Sequence, residues 1–156
     1  QNIRDGLVKA DPGCSAGYSQ RAAAYTAQLK ELNTAIATQL RPFRGKTFIA
    51  FHDFAPYFAE RYDLQADFVV DVPEMNPTPA DLQRVSNKVQ QTQLKALLSE
   101  PQEGDRSFNA LAEDLGVNVV TFDPLETGPE KASKLPDTYF NVMKSNVASL
   151  IKSFGG

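Results

Sequence analysis

The chain has 156 residues, 42% of them apolar, and its 16 basic and 19 acidic side chains give a formal net charge of −3; this suits one domain with a real core and leaves little room for two. The charges are scattered with no basic block, which excludes the electrostatic footprint of a nucleic-acid binder, and no run approaches the roughly 18 consecutive apolar residues of a membrane-spanning helix. Cys14 is the only cysteine and His52 the only histidine, with no tryptophan, so an internal disulfide and a cysteine-rich metal cluster are excluded. Any metal site must then draw on carboxylates, water or residues from outside this chain.

The sequence opens at Gln1 inside a helical pattern and has no signal peptide, as expected of a mature or trimmed fragment. Residues 3–9 are weakly helical and stop at Asp11-Pro12-Gly13, a strong turn signal. Next comes the clearest helix, about 16–41, in which Tyr18, Ala22, Tyr25, Leu29, Leu32, Ile36 and Leu40 share one face. Pro42 and Gly45 end it. Its spacing would also fit a coiled coil, but about three heptads is short for one, and a long packed helix is the better reading.

Four short apolar runs then alternate with helical patterns. Residues 46–51 (KTFIAF) read as a buried strand, and 53–62 as a helix with Asp53 as N-cap and Pro56 in its first turn. Residues 66–72 (ADFVVDV) form the second strand. Thr78-Pro79-Ala80-Asp81 then supplies a cap, a proline at the first helical position and a carboxylate three residues after the cap. Leu82, Val85 and Val89 follow as its stripe. Residues 94–99 are the third strand. Asp105 can cap a helix with Phe108, Leu111 and Leu115 on its inner face and Gly116 as its stop. Residues 117–122 (VNVVTF) are the fourth strand, residues 126–135 a loop, and residues 137–154 a last helix with Phe140, Met143, Val147, Leu150 and Phe154 at helical spacing. Near-continuous apolar strands alternating with helices predict an α/β fold: a four-stranded, mainly parallel, doubly wound sheet with helices on both faces, of order 2-1-3-4. The division expected is a helical linker over 1–45 and an α/β lobe over 46–156.

In such sheets ligands bind beyond the carboxyl ends of the strands. The residues there are His52 and Asp53; Pro73, Glu74, Met75 and Asn76; Glu100, Pro101 and Gln102; and Asp123, Pro124 and Leu125. Imidazole and carboxylates on one edge suit Zn²⁺, Mn²⁺ or Fe²⁺. By position alone, His52 reads equally as a half-buried histidine with no ligand. Asp53 reads first as a helix cap and Asp123-Pro124 as a turn starter. Glu74 and Glu100 read as loop or supporting groups, and Cys14 as a structural or incidental thiol near a turn. The aromatics Phe54, Tyr57, Phe58 and Tyr62 read as core packing. No nucleophile–base pair with an orienting third group, and no G-x-S-x-G, is present, so an enzyme is not expected.

Five ordered blocks carry a resemblance. Phe51-His52-Asp53, followed by Tyr57-Phe58-Ala59-Glu60-Arg61-Tyr62-Asp63-Leu64, is similar to the "FHD…YFA.RYGL" segment of the zinc and manganese solute-binding proteins of ABC importers, also called adhesin-type lipoproteins. Pro73 to Pro79 resembles their "PE.EPSP" loop, Glu100-Pro101-Gln102 their "EPQ", Leu111 to Gly116 the stretch before their "DPL", and Asp123-Pro124-Leu125 that "DPL" itself. Asp11-Pro12 and the Ala-rich helix after it resemble the long helix that joins the family's two lobes. The resemblance implies a C-terminal lobe holding a metal against an N-terminal lobe that supplies two further histidines. The ligands it implies here are His52 and Asp123, with Asp53, Glu74 and Glu100 as candidates for the supporting layer. Histidine at the first position implies a zinc rather than a manganese receptor, in line with the preference of imidazole for Zn²⁺. It further implies an ABC permease as partner, a periplasmic or extracellular location compatible with a lipid anchor, and no nucleic acid. The alternatives are a manganese or other divalent-metal receptor of the same family, or a flavodoxin-like domain that binds no metal; the latter would want a Gly- or Ser/Thr-rich loop where the sequence has His-Asp-Phe-Ala-Pro.

Overall fold

The computed structural model describes residues 1–70, 77–101 and 106–155, with residues 106 and 107 as backbone only. The chain divides into two compact units, 1–38 and 39–156. The first holds α1 (Asn2–Ala10), a 3₁₀ turn at Pro12–Cys14 and most of α2 (Ser15–Leu40). At the turn the Tyr18 hydroxyl donates to Asp11 Oδ2 at 3.1 Å. Hydrogen bonds from Cys14 and Tyr18 hold the Asp11 carboxyl below its usual range. Along α2 the predicted stripe is buried at Leu32, Ile36 and Leu40, whereas Tyr25 is 43% exposed. Helical spacing tells which side chains share a face and not how much of that face is covered.

The second unit contains β1 (Thr47–His52), α3 (Pro56–Arg61), β2 (Gln65–Val70), α4 (Pro79–Thr92), β3 (Ala96–Ser99), α5 (Arg106–Asp114), β4 (Asn118–Thr121), α6 (Glu130–Ser133) and α7 (Thr138–Ser153). The strand order is β2-β1-β3-β4 and every pairing is parallel, with Thr47 opposite Gln65, Ala50 opposite Leu98 and Leu98 opposite Val120. The expected order holds, and "mainly parallel" becomes all parallel. The central strands β1 and β3 are buried throughout, while the edge strands β2 and β4 are only partly covered. α3 and α4 pack on β2, α5 on β4, and α7 on β3 and β4. Phe48, Ile49, Val69, Val85, Leu97, Leu98, Val147 and Leu150 make the closed centre of the core. Among the described residues no helix is long and apolar enough to cross a membrane.

The boundaries follow local chemistry. Gly116 takes φ +65° just past α5, a left-handed stop that costs glycine little. α4 begins with the capping box expected at Thr78: the Asp81 N–H donates to Thr78 Oγ1 at 3.3 Å and the Thr78 N–H to Asp81 Oδ2 at 2.9 Å. Thr78→Ala is expected to cost about 1 kcal/mol, measured as a lowered midpoint in urea. The hydrogen bonds from Thr78 also depress the Asp81 carboxyl below its ordinary 3.8. A carboxyl depressed by folding stabilises the folded state above the unfolded value and loses that contribution as the pH falls through the folded one. The stability gap between Thr78→Ala and the parent should therefore narrow as the pH falls below 3.8, without closing, because the bond from the Asp81 N–H to Thr78 Oγ1 does not titrate.

Two expectations are corrected. α3 starts at Pro56 with Ala55 at its N-cap position and no side-chain cap, so Asp53 caps nothing. Pro56 is preorganised for the first helical position, and the Phe54 N–H closes a turn onto the His52 carbonyl at 3.1 Å instead. The stretch 126–135 is not all loop, because residues 130–133 form α6. Glu130 in its first turn is paired with Lys134 four residues on, and the Thr138 hydroxyl donates to the Ala132 carbonyl at 2.6 Å. The cap expected at Asp105 lies outside the described residues.

Candidate metal centre

Because Ala50 pairs with Leu98 and Leu98 with Val120, two residues further along each chain His52, Glu100 and Phe122 come level at the C-terminal edge of the sheet. The two-residue period puts them on one face. His52 is the last residue of β1, buried in the ladder opposite Val70. Its ring meets the edge of Phe51 at 4.6 Å. Glu100, one residue past β3, is 3% exposed, and its Oε1 lies 3.5 Å from His52 Nδ1. A buried carboxylate is costly unless a donor or a cation stands beside it, and the imidazole is one such neighbour here.

Asp123 lies at the same edge, one residue past Phe122. The Phe122 N–H donates to the Ser99 carbonyl at 2.9 Å, which carries the β3–β4 ladder one step beyond β4. Asp123 Oδ1 accepts the Leu125 N–H at 2.8 Å, an Asx turn that folds the chain back at the strand end. Leu125 sits at φ +62°, a conformation unfavourable for a branched residue. Oδ2 has no hydrogen bond among the described residues, which leaves it available to a cation.

Phe54 and Phe58 pack on Phe122 at 5.3 and 5.4 Å between ring centres, so the chain following β1 reaches across to the chain following β4. Burial pushes the Tyr62 phenol above its ordinary value of 10.0. Tyr57, also expected in the core, is instead 86% exposed; α3 is only six residues long, so its short turn buries one side and leaves the other in water.

Of the five residues singled out in the sequence, His52 and Glu100 are in contact, Asp123 stands at the same edge, Asp53 is exposed, and Glu74 lies outside the described residues. No cluster of three or more His, Cys, Asp or Glu side chains suited to a metal occurs among the described residues. One residue at this edge went unread. Asn146, on α7 and 2% exposed, accepts the Asp123 N–H on Oδ1 at 2.8 Å and donates from Nδ2 to the Asp123 carbonyl at 2.7 Å. Its signal was present: it falls three residues after Met143 and four before Leu150, a polar side chain on an apolar stripe.

The family described as "zinc-uptake complex component A periplasmic" matches residues 1–153. Zinc-binding protein AdcA of Streptococcus pyogenes is 30% identical over 151 residues, 96% of this chain and 29% of that protein. The high-affinity zinc uptake system protein ZnuA of Brucella abortus is 30% identical over 152 residues, 97% of this chain and 44% of that protein. Among solved structures, the laminin-binding protein Lmb of Streptococcus agalactiae, described as bifunctional with adhesin and metal-transporting activity, superposes with a TM-score of 0.86 at 25% identity, covering 98% of this chain and 58% of that one. A ZnuA crystal structure gives 0.82 at 25% identity, covering 97% of this chain and 53% of that one. The chain thus spans well under two thirds of each of these relatives.

Proposed function

The chain belongs to the zinc-uptake component A family of solute-binding proteins, and from that membership we propose that it forms one lobe of a zinc receptor, gripping Zn²⁺ with His52 and Asp123 for delivery to an ABC importer. The observation that carries the reading is the pairing of His52 with Glu100 at the same sheet edge as Asp123. Zn²⁺ takes neutral imidazole and ionised carboxylate, almost always in fours. A ligand histidine needs its second ring nitrogen held by a carboxylate or carbonyl. Glu100, at 3.5 Å from Nδ1, is the carboxylate placed to take that supporting role when the ion binds, with Nε2 left to face the ion. Strands β1 and β4 are separated by one strand, about 10 Å in all, a gap that two side chains and two bonds of about 2 Å can span.

Two protein ligands make half of a zinc site, and the other half belongs to a second lobe. Zn²⁺ is cargo here, so the site must close tightly enough to exclude water and still open at the transporter. Among the described residues no three His, Cys, Asp or Glu side chains gather to hold an ion, in keeping with a shared site. The receptor works on the periplasmic or extracellular side of the membrane, in keeping with the family description.

Asp123→Ala in the complete receptor tests the assignment. A four-ligand zinc site binds with roughly 10–16 kcal/mol, about 3 per ligand, and water recovers part of what a lost carboxylate gave, so a drop of about fiftyfold is expected. Competition against a chelating indicator measures it. Unchanged zinc affinity would remove Asp123 from the ligand set.

A further inference from the structure

We infer that Asn146 is a positioning residue for zinc capture: its side-chain amide stands in for a neighbouring strand at the outer edge of β4 and fixes the Asp123 backbone, and through it the carboxylate. The inference rests on the reading of Asp123 as a ligand. β4 is an edge strand with β3 on one side only. The Phe122 N–H points to Ser99 on β3, and successive residues of a strand present their peptide groups to opposite sides. The Asp123 N–H and carbonyl therefore face away from β3, where no strand can meet them. Asn146 meets both, accepting from the N–H at 2.8 Å and donating to the carbonyl at 2.7 Å. One planar amide offers a donor and an acceptor side by side, as a peptide group does; Leu, Ser and Asp cannot reproduce that pair.

What lies beyond Asp123 needs such an anchor. The carboxylate is folded back onto the Leu125 N–H, and Leu125 is held in the left-handed region. The loop covers a cavity of about 440 Å³ lined in part by Asp123, Leu125, Pro129, Thr138 and Val142, so it has room to relax if its fixed end is released. Ser99 on one side and Asn146 on the other clamp that end. An asparagine 2% exposed on an apolar helix face costs desolvation that only satisfied hydrogen bonds offset, and here both bonds go to a single residue of the metal edge.

The test is a double-mutant cycle in the complete receptor, reading Zn²⁺ affinity by chelator competition for the parent, Asn146→Leu, Asp123→Ala and the double variant. Removing a group that orients a ligand typically lowers affinity by about 10–100-fold. Asn146→Leu should therefore lose about tenfold where Asp123 is present and less than about twofold where it is already Ala, since the two act as one unit. If the leucine variant does not fold, Asn146→Ser, which stays neutral and polar but cannot bridge the N–H and the carbonyl together, should show the same dependence on Asp123. Equal losses in both backgrounds, or no loss with Asp123 present, would overturn the inference while leaving Asp123 as a ligand. If Asp123→Ala alone leaves affinity unchanged, the ligand reading fails and this inference with it.

Discussion

With His52 as a proposed zinc ligand, His52→Ala in the complete receptor should lower zinc affinity by a few hundredfold, the largest effect expected of any single substitution in this chain. A site worth roughly 10–16 kcal/mol over four ligands loses about 3–4 kcal/mol with one of them, and 1.4 kcal/mol is a factor of ten. The loss should exceed that at Asp123 for two reasons. Water replaces a carboxylate oxygen more readily than an imidazole nitrogen at Zn²⁺, a borderline-soft ion. Truncation also opens an empty volume beside Glu100, 3% exposed, whose Oε1 lies 3.5 Å from the His52 imidazole. His52→Gln separates the two contributions, because it keeps a polar group beside Glu100 while removing the imidazole. Stability should recover toward the parent in Gln, as read by urea denaturation, and zinc affinity should not. Affinity within threefold of the parent in either variant would exclude His52 from the first coordination sphere.

On the same assignment, the 156-residue chain by itself should bind zinc no more tightly than the micromolar range. Two ligands of four supply about half of the intact site's energy, roughly 5–8 kcal/mol, which corresponds to dissociation constants from about 200 μM to 1 μM. Calorimetric titration of the chain with Zn²⁺ measures this directly, and the same titration of His52→Ala should show no heat above dilution. Nanomolar binding by the chain alone would mean that it contains a complete site. The ligands would then have to include residues other than His52 and Asp123, because the described residues hold no cluster of three candidate donors.

The sequence by itself determined the architecture. Central strands buried on both faces must be near-continuously apolar, as 48–51 and 96–98 are, and the run of punctuation (Thr78-Pro79 before α4, Gly116 after α5) is local chemistry that acts within a few residues. Because a parallel sheet always delivers the ends of its strands to one edge, alternation alone was enough to place His52, Glu100 and Asp123 there together. Where the local rules compete, the sequence was ambiguous: Asp53 and Pro56 each could begin a helix, and proline prevailed because its fixed φ sets the first helical residue. Tyr57 matched the helical period, yet a helix of six residues is too short to bury a second side. Only the tertiary structure decided which carboxylate accompanies His52, since residues 52 and 100 become neighbours through the β1–β3 register, which no local pattern encodes. It alone also gave Asn146 its partner. A polar residue on an apolar stripe announces that something buried must answer it, but the backbone of Asp123, 23 residues away in the chain, meets it only because β4 lies at the edge and α7 packs against it.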